Sequence, residues 1–128
     1  MQPKFITYEN AVQNLSWPEA VEALRSGHKL ARAEIGDIFL GPDNGTMLNR
    51  AAYIEGLGYG MKSVTVFSGN AKIGVPTVQG AMLVFDPSKG QLKAGIESRL
   101  VTEFKTAADS VLGAELLARQ GSKHLLIV

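Results

Sequence analysis

The sequence predicts an α+β domain in which an antiparallel meander of about six strands carries an N-terminal helix and a long C-terminal helix packed on it. Two observations support this fold. Between residues 29 and 97, short β-type runs alternate with short turn signals, and separators of this length favour hairpins and antiparallel pairing. On either side, residues 14–27 and 98–119 repeat apolar side chains with helical spacing.

The first helix is expected within "NLSWPEAVEALRSG", residues 14–27. Ser16 and Glu19 have the spacing of a capping box, and Pro18 lies in the first turn, where its missing N–H costs little. Gly27 is a natural end for the helix because glycine readily adopts the conformation that follows a last helical turn.

The meander that follows is divided by the turn sequences "GPDNG", "GLGYG", "SGNAKIGVP" and "DPSKG". "GLGYG" also has the glycine content of a dinucleotide loop, but no parallel strand precedes it and no capped helix follows, so a hairpin turn is the favoured interpretation. The strands are expected at residues 29–34, 36–41, 46–54, 61–68, 77–86 and 91–97.

The second helix is followed by "KHLLIV", residues 123–128, which has the apolar, β-type composition of a buried strand in a parallel sheet. The change of composition at 119–123 predicts a boundary between a domain over 1–120 and a further element over 121–128. A strand at 123–128 with an unpaired edge is expected to be displaced, disordered or paired with another chain.

Composition excludes several classes of function. The formal net charge of the 128 residues is +1, which favours neither nucleic acid nor an anionic membrane. The chain has no cysteine, hence no disulfide or thiolate, and its two histidines are too far apart in sequence to suggest a metal site. The N-terminus lacks the apolar core of a signal peptide, and we expect a cytoplasmic protein.

Four cations remain as candidate ligands: Arg32, Arg50, Lys62 and Lys105. Taken singly, each is more often a solvated charge than a binding residue. Lys62 nevertheless begins a strongly β-type run, and Lys105 borders the apolar face of the second helix. Together, they could hold a small carboxylate, with arginine acting as a bidentate fork and lysine as a point charge.

Several motifs resemble those of the ornithine cyclodeaminase / mu-crystallin family, and their order and spacing agree over residues 60–128. Residues 1–59 agree more loosely, although "DIFL" and "LNRAAYI" look like a subgroup that contains cyclic imino acid reductases. The matching elements are the strand-opening Lys62, "GN" at 69–70, "PTVQG" at 76–80, "FDP" at 85–87, "KTAA" at 105–108 and "LLIV" at 125–128.

This resemblance implies an NAD(P)-dependent enzyme with two domains. One binds substrate and forms a homodimer through an antiparallel sheet paired across a two-fold axis, and the other is a Rossmann domain that begins at a strand like "LLIV". The implied chemistry is hydride transfer between nicotinamide and the α-carbon of an amino or imino acid, as an oxidoreductase or as a cyclising lyase. A pyrroline-2-carboxylate type of imino acid reductase is slightly preferred.

Carried over position by position, Lys62 resembles the family lysine that contacts the substrate carboxylate and polarises the reacting centre. Arg32 resembles a second carboxylate ligand. Lys105 stands where most members have arginine, so it keeps the charge and loses the fork. Arg50 stands where others have proline, and it is a candidate for the missing guanidinium.

The resemblance also implies that Thr77 borders substrate and cofactor, and that Thr106 lies beside the cofactor. The glycine loop of the family's cofactor domain would follow residue 128, so we expect a truncated form that binds no NAD(P) and has no turnover. Two other readings stay open: a non-catalytic homodimeric module that binds a small amino or imino acid, and a purely structural oligomer.

Overall fold

A computed structural model describes residues 2–127 of the chain. The sheet contains six strands, and three α-helices and two short 3-10 turns (residues 12–14 and 68–73) complete the fold. In chain order the elements are β1 (Lys4–Ile6), α1 (Tyr8–Ala11), α2 (Trp17–Gly27), β2 (Glu34–Leu40), β3 (Thr46–Ile54), β4 (Gly58–Val66), β5 (Val78–Phe85), β6 (Leu92–Glu97) and α3 (Ser98–Leu117).

The strand order in the sheet is β1-β6-β5-β4-β3-β2. Strands β2 to β6 form the predicted antiparallel meander, but β1 pairs with β6 in parallel, so the sheet is mixed and the prediction of a purely antiparallel sheet was wrong. Because β1 and β6 are far apart in sequence, no tight turn connects them, and β1 can therefore join the sheet in either direction.

The predicted strand at 29–34 was also wrong. The backbone N–H groups of Lys29 and Leu30 donate to the carbonyls of Ser26 and Gly27, which continues the helical turns past the end of α2. The next regular element, β2, begins only at Glu34. Glu34 faces Tyr53, and β3 ends at Ile54, so the residues before Glu34 lie opposite a turn and not opposite a strand.

The described residues at the end of the chain lie outside the sheet. Residues 123–127 form no strand, and Val128 lies outside the described residues. The side chains of Leu125, Leu126 and Ile127 are more than four-fifths exposed, so this segment is not buried in a parallel sheet.

Both main helices are where the sequence places them. The Ser16 hydroxyl accepts a hydrogen bond from the backbone N–H of Glu19, which satisfies one of the free donors in the first turn of α2. Helix α2 packs against α3 through the buried cluster of Val21, Ala108 and Leu112. No helix of residues 2–127 has the length and apolarity needed to cross a membrane.

The N-terminal strand is fixed to the start of α3 by polar contacts. The backbone N–H of Tyr8 donates to the Glu97 carboxylate at 2.7 Å, and the Tyr8 hydroxyl donates to Glu103 at 2.8 Å. The Arg99 guanidinium lies 3.8 Å from the centre of the Tyr8 ring. Since Glu97 ends β6, these contacts hold β1 beside β6.

Candidate functional site

One row of side chains crosses the whole sheet, and it contains two of the predicted cations. Residues that face each other on paired strands lie on the same side of a sheet, so all members of the row project from one face. We call this set the central row: Asp37, Arg50, Lys62, Met82, Ile96 and Ile6, in order from β2 to β1.

Arg50 forms a bidentate ion pair with Asp37 on the neighbouring strand. Its Nε donates to Oδ1 at 2.7 Å and its Nη2 donates to Oδ2 at 2.6 Å. These hydrogen bonds from Arg50 lower the pKa of the Asp37 carboxyl, and those to Asp37 raise the pKa of the guanidinium. Both groups are therefore charged at neutral pH.

Lys62 lies on the other side of Arg50, directly opposite it in the β3–β4 ladder. Its side chain is half-buried, and among residues 2–127 no carboxylate lies within salt-bridge distance of its ammonium group. A lysine in this setting keeps three hydrogen-bond donors available. Lys62 thus stands at the middle of the sheet without a carboxylate partner among residues 2–127.

Arg32 and Lys105 both line a second place, an apolar cleft of about 850 Å³ between the two main helices and the sheet. The cleft adjoins the central row, because Ile6 and Ile96 belong to the row and also line the cleft. Helix α3 therefore lies over the face from which Arg50 and Lys62 project. Other walls of the cleft are Leu15, Leu24, Leu30, Ile54, Leu100 and Phe104.

Lys105 is not a free cation in this arrangement. It forms an ion pair with Asp109 one turn further along α3, and His28 Nε2 lies 3.5 Å from the same carboxylate. The hydrogen bond from Lys105 lowers the pKa of Asp109. By contrast, Arg32 has no salt-bridge partner within residues 2–127 and is exposed at the rim of the cleft.

The two threonines lie apart from these cations. The Thr77 carbonyl accepts from the N–H of Phe67, which follows Lys62 by five positions, so Thr77 is roughly 16 Å from Lys62 along the strand direction. Thr106 is an exposed residue of α3, next to Lys105. The structure places Arg50 opposite Lys62, lines one cleft with both Arg32 and Lys105, and leaves Thr77 at the far end of the sheet.

The described residues do not form a dinucleotide cradle. "GLGYG" is the tight connection between β3 and β4, where Gly56 and Gly58 have positive φ, and the hairpin interpretation is confirmed. Within residues 2–127 the one parallel strand pair, β1–β6, has no glycine loop leading to a helix N-terminus. Nor do three histidine or acidic side chains converge there on a possible metal position.

Sequence reasoning overlooked Asp37 as part of this site. The signal was present, because "GPDNG" joins β2 to β3 and such a turn brings Leu40 opposite Met47. Three residues away from the turn on each strand, Asp37 on β2 therefore lies opposite Arg50 on β3. Opposite charges that face each other across a strand pair are a recognised source of sheet stability.

Comparison with known proteins places this chain in a wider group. The family model "Ornithine cyclodeaminase/mu-crystallin family" matches residues 21–128. The chain is 66% identical over 126 residues to the Delta(1)-pyrroline-2-carboxylate reductase of Paracoccus denitrificans, a match that covers 98% of this chain and 40% of that protein. It is 39% identical over 67 residues to the ketimine reductase mu-crystallin of Mus musculus, covering 52% of this chain and 21% of that protein.

Solved structures resemble the whole fold. The Thermococcus litoralis Delta(1)-pyrroline-2-carboxylate reductase in complex with NADH and L-proline matches 94% of this chain with a TM-score of 0.78 at 25% identity. An archaeal alanine dehydrogenase dimer with bound NAD matches 95% with a TM-score of 0.79 at 27% identity. In both cases the match covers 39% of the solved chain, so this chain spans about two fifths of such relatives.

Proposed function

We propose that this chain, which belongs to the ornithine cyclodeaminase/mu-crystallin family, is the substrate-binding and dimerisation lobe of an NAD(P)-dependent imino acid reductase of the pyrroline-2-carboxylate type. The observation that carries the proposal is the half-buried Lys62, which faces Arg50 at the middle of the sheet and has no carboxylate partner among residues 2–127. The similarity to a Delta(1)-pyrroline-2-carboxylate reductase supports this choice of substrate class.

The ligand best suited to this site is a small carboxylate with a compact apolar body. Lys62 supplies a point charge and Arg50 a planar donor, and a carboxylate can accept from both. The neighbouring cleft is lined mainly by aliphatic side chains, which suit a small ring. We propose that Lys62 also polarises the reacting carbon–nitrogen bond, and that Arg32 and Lys105 hold the ligand from the cleft side.

The reaction class requires a hydride from nicotinamide. Because residues 2–127 form no dinucleotide cradle, we propose that this chain binds the carboxylate but does not turn it over. Thr77 and Thr106 stay as proposed contacts to a cofactor that other parts of such an enzyme would hold.

Binding can be tested by calorimetry on this chain with pyrrole-2-carboxylate, L-proline and L-ornithine. We expect pyrrole-2-carboxylate to bind and Lys62→Met to weaken it at least tenfold, because methionine keeps the apolar stem and removes the charge. Lys93→Met on β6 is the matched control and should leave the affinity unchanged, since Lys93 lies outside the central row. Equal affinities for the wild type and Lys62→Met would reject the site.

Homodimerisation is proposed from exposed apolar residues on the sheet. The face opposite the central row presents Ile38, Leu40 and Tyr59, which are 58%, 57% and 48% exposed, and β2 is an open edge. Apolar side chains on an open edge strand favour pairing with a second sheet. A second copy of this chain offers the same surface and can therefore cover it symmetrically.

Sedimentation velocity over a concentration series tests this surface. We expect a dimer for the wild type and a monomer, or at least tenfold weaker association, for Ile38→Asp, because burying a carboxylate in an apolar interface is costly. Ile73→Asp is the control, since Ile73 is 74% exposed but lies outside the sheet. If both variants associate like the wild type, the interface is elsewhere.

A further inference from the structure

We infer that Asp37 is a positioning residue for carboxylate binding: by holding one edge of the Arg50 guanidinium, it directs the other edge toward an anion shared with Lys62. This inference rests on the proposed function, because it concerns the same carboxylate. Asp37 is not among the residues that the family resemblance assigns to substrate binding.

The geometry of the ion pair leaves half of the guanidinium free. Arginine has five N–H donors, arranged so that the Nε–Nη2 edge and the Nη1–Nη2 edge can each bind a carboxylate. Asp37 accepts from Nε and Nη2 at 2.7 and 2.6 Å, which occupies the first edge. No other side-chain hydrogen bond joins the Arg50 guanidinium to a residue within 2–127, and its side chain is 56% exposed, so a ligand can reach the second edge.

The order of charges along the row indicates where the anion lies. Asp37 is negative, whereas Arg50 and Lys62 are positive and face each other across β3 and β4. Like charges directly opposite on adjacent strands are unfavourable, and Asp37 is on the wrong side of Arg50 to offset Lys62. A carboxylate between the two cations would give alternating signs along the row.

A simpler role for Asp37 is a cross-strand ion pair that only stabilises the β2–β3 ladder. In that case, replacing Asp37 would change stability without changing affinity for a ligand. The two roles differ in a further respect, because a positioning residue acts through Arg50 and loses its effect once Arg50 is absent. A double-mutant cycle measures this dependence directly.

The experiment is titration of this chain with pyrrole-2-carboxylate, followed by calorimetry, for the wild type, Asp37→Asn, Arg50→Met and the double variant. We expect Asp37→Asn to weaken binding about tenfold, the order expected for hydrogen bonds to charged groups, and less than twofold when Arg50 is already methionine. Arg50→Lys keeps the charge and the ion pair but lacks the second edge, so it should weaken binding comparably. Asp37→Glu keeps the carboxylate and should restore most of the affinity.

Glu34→Gln is the matched control, since it removes one negative charge from the same strand but on the opposite face. It should leave the affinity unchanged, and pyrrole, which lacks the carboxylate, should not distinguish any of the variants. The inference is overturned if Asp37→Asn binds like the wild type, or if its effect is the same in both Arg50 backgrounds. Those results, with Lys62→Met still defective, leave the proposed function intact; a wild type that does not bind pyrrole-2-carboxylate refutes both.

Discussion

Replacing Leu112 by alanine tests the contact that holds α2 against α3 and so holds the wall of the cleft. Leu112 is 4% exposed and packs with Val21 and Ala108. Burial of this kind makes leucine-to-alanine changes cost about 2–5 kcal/mol. A groove of about 400 Å³ lined by Val21 and Ala108 opens beside the cluster, so neighbours can relax and water can enter. We therefore expect the lower part of the range, about 2–3 kcal/mol, and a fall in Tm of roughly 10 °C for a chain of this length.

The assay is urea denaturation followed by circular dichroism, at one protein concentration for all variants so that any dimer contributes equally. Leu117→Ala is the matched control, because Leu117 is on the same helix and 86% exposed. It should change the free energy of unfolding by no more than about 0.5 kcal/mol. Equal losses for the two variants would refute the packing of α2 on α3 described above.

Other predictions concern the sheet, the acid stability and the end of the chain. Gly80→Ala should lose about 3 kcal/mol in urea denaturation, because its Cβ would lie 2.0 Å from a backbone oxygen of β4. Stability should fall as the pH drops below about 4, because the pKa values of Asp37, Asp86 and Asp109 are lowered in the fold and the unfolded chain then binds more protons; acid titration followed by circular dichroism checks this, and a flat profile down to pH 2 would contradict it. Backbone amides of residues 123–127 should exchange hydrogen at the unprotected rate, because the segment forms no strand. Protection of these amides that persists when the protein is diluted would contradict the prediction.

The helices and turns could be predicted because their signals are local. Ser16 caps α2 within three residues of its hydrogen-bond partner, and the glycines of "GLGYG" specify a tight turn without reference to the rest of the chain. Strand β1 could not be found in this way, because three residues show no periodicity. Its place beside β6 depends on the contacts of Tyr8 with Glu97 and Glu103, which are distant in sequence.

Two segments of β-type composition form no strand for a common physical reason. The segments 29–34 and 123–128 have β-type composition, yet neither 29–33 nor 123–127 forms a strand. A strand needs a neighbour that satisfies its backbone N–H and C=O groups, and composition does not reveal whether one exists. Both segments lie next to a helix end and beyond an edge of the meander, where the described chain supplies no partner strand.

For the candidate site, residue types were more predictable than their arrangement. Arg50 and Lys62 could be named from the sequence, and their facing positions follow from the length of the "GLGYG" hairpin. The presence of both Arg32 and Lys105 on one cleft depends instead on how α2 packs on α3, a tertiary feature without a sequence period of its own. Predicting it would require the crossing geometry of the helices.

The central row departs from what sheet stability alone favours. Packing would favour apolar or oppositely charged pairs at the middle of a six-stranded sheet, yet Arg50 and Lys62 face each other there. Local rules of this kind are most often broken where a protein binds or transforms something. Asp37 resolves the conflict for Arg50 but cannot do so for Lys62, which lies on the other side. The bound carboxylate that we propose would complete the row, acting on Lys62 as Asp37 acts on Arg50.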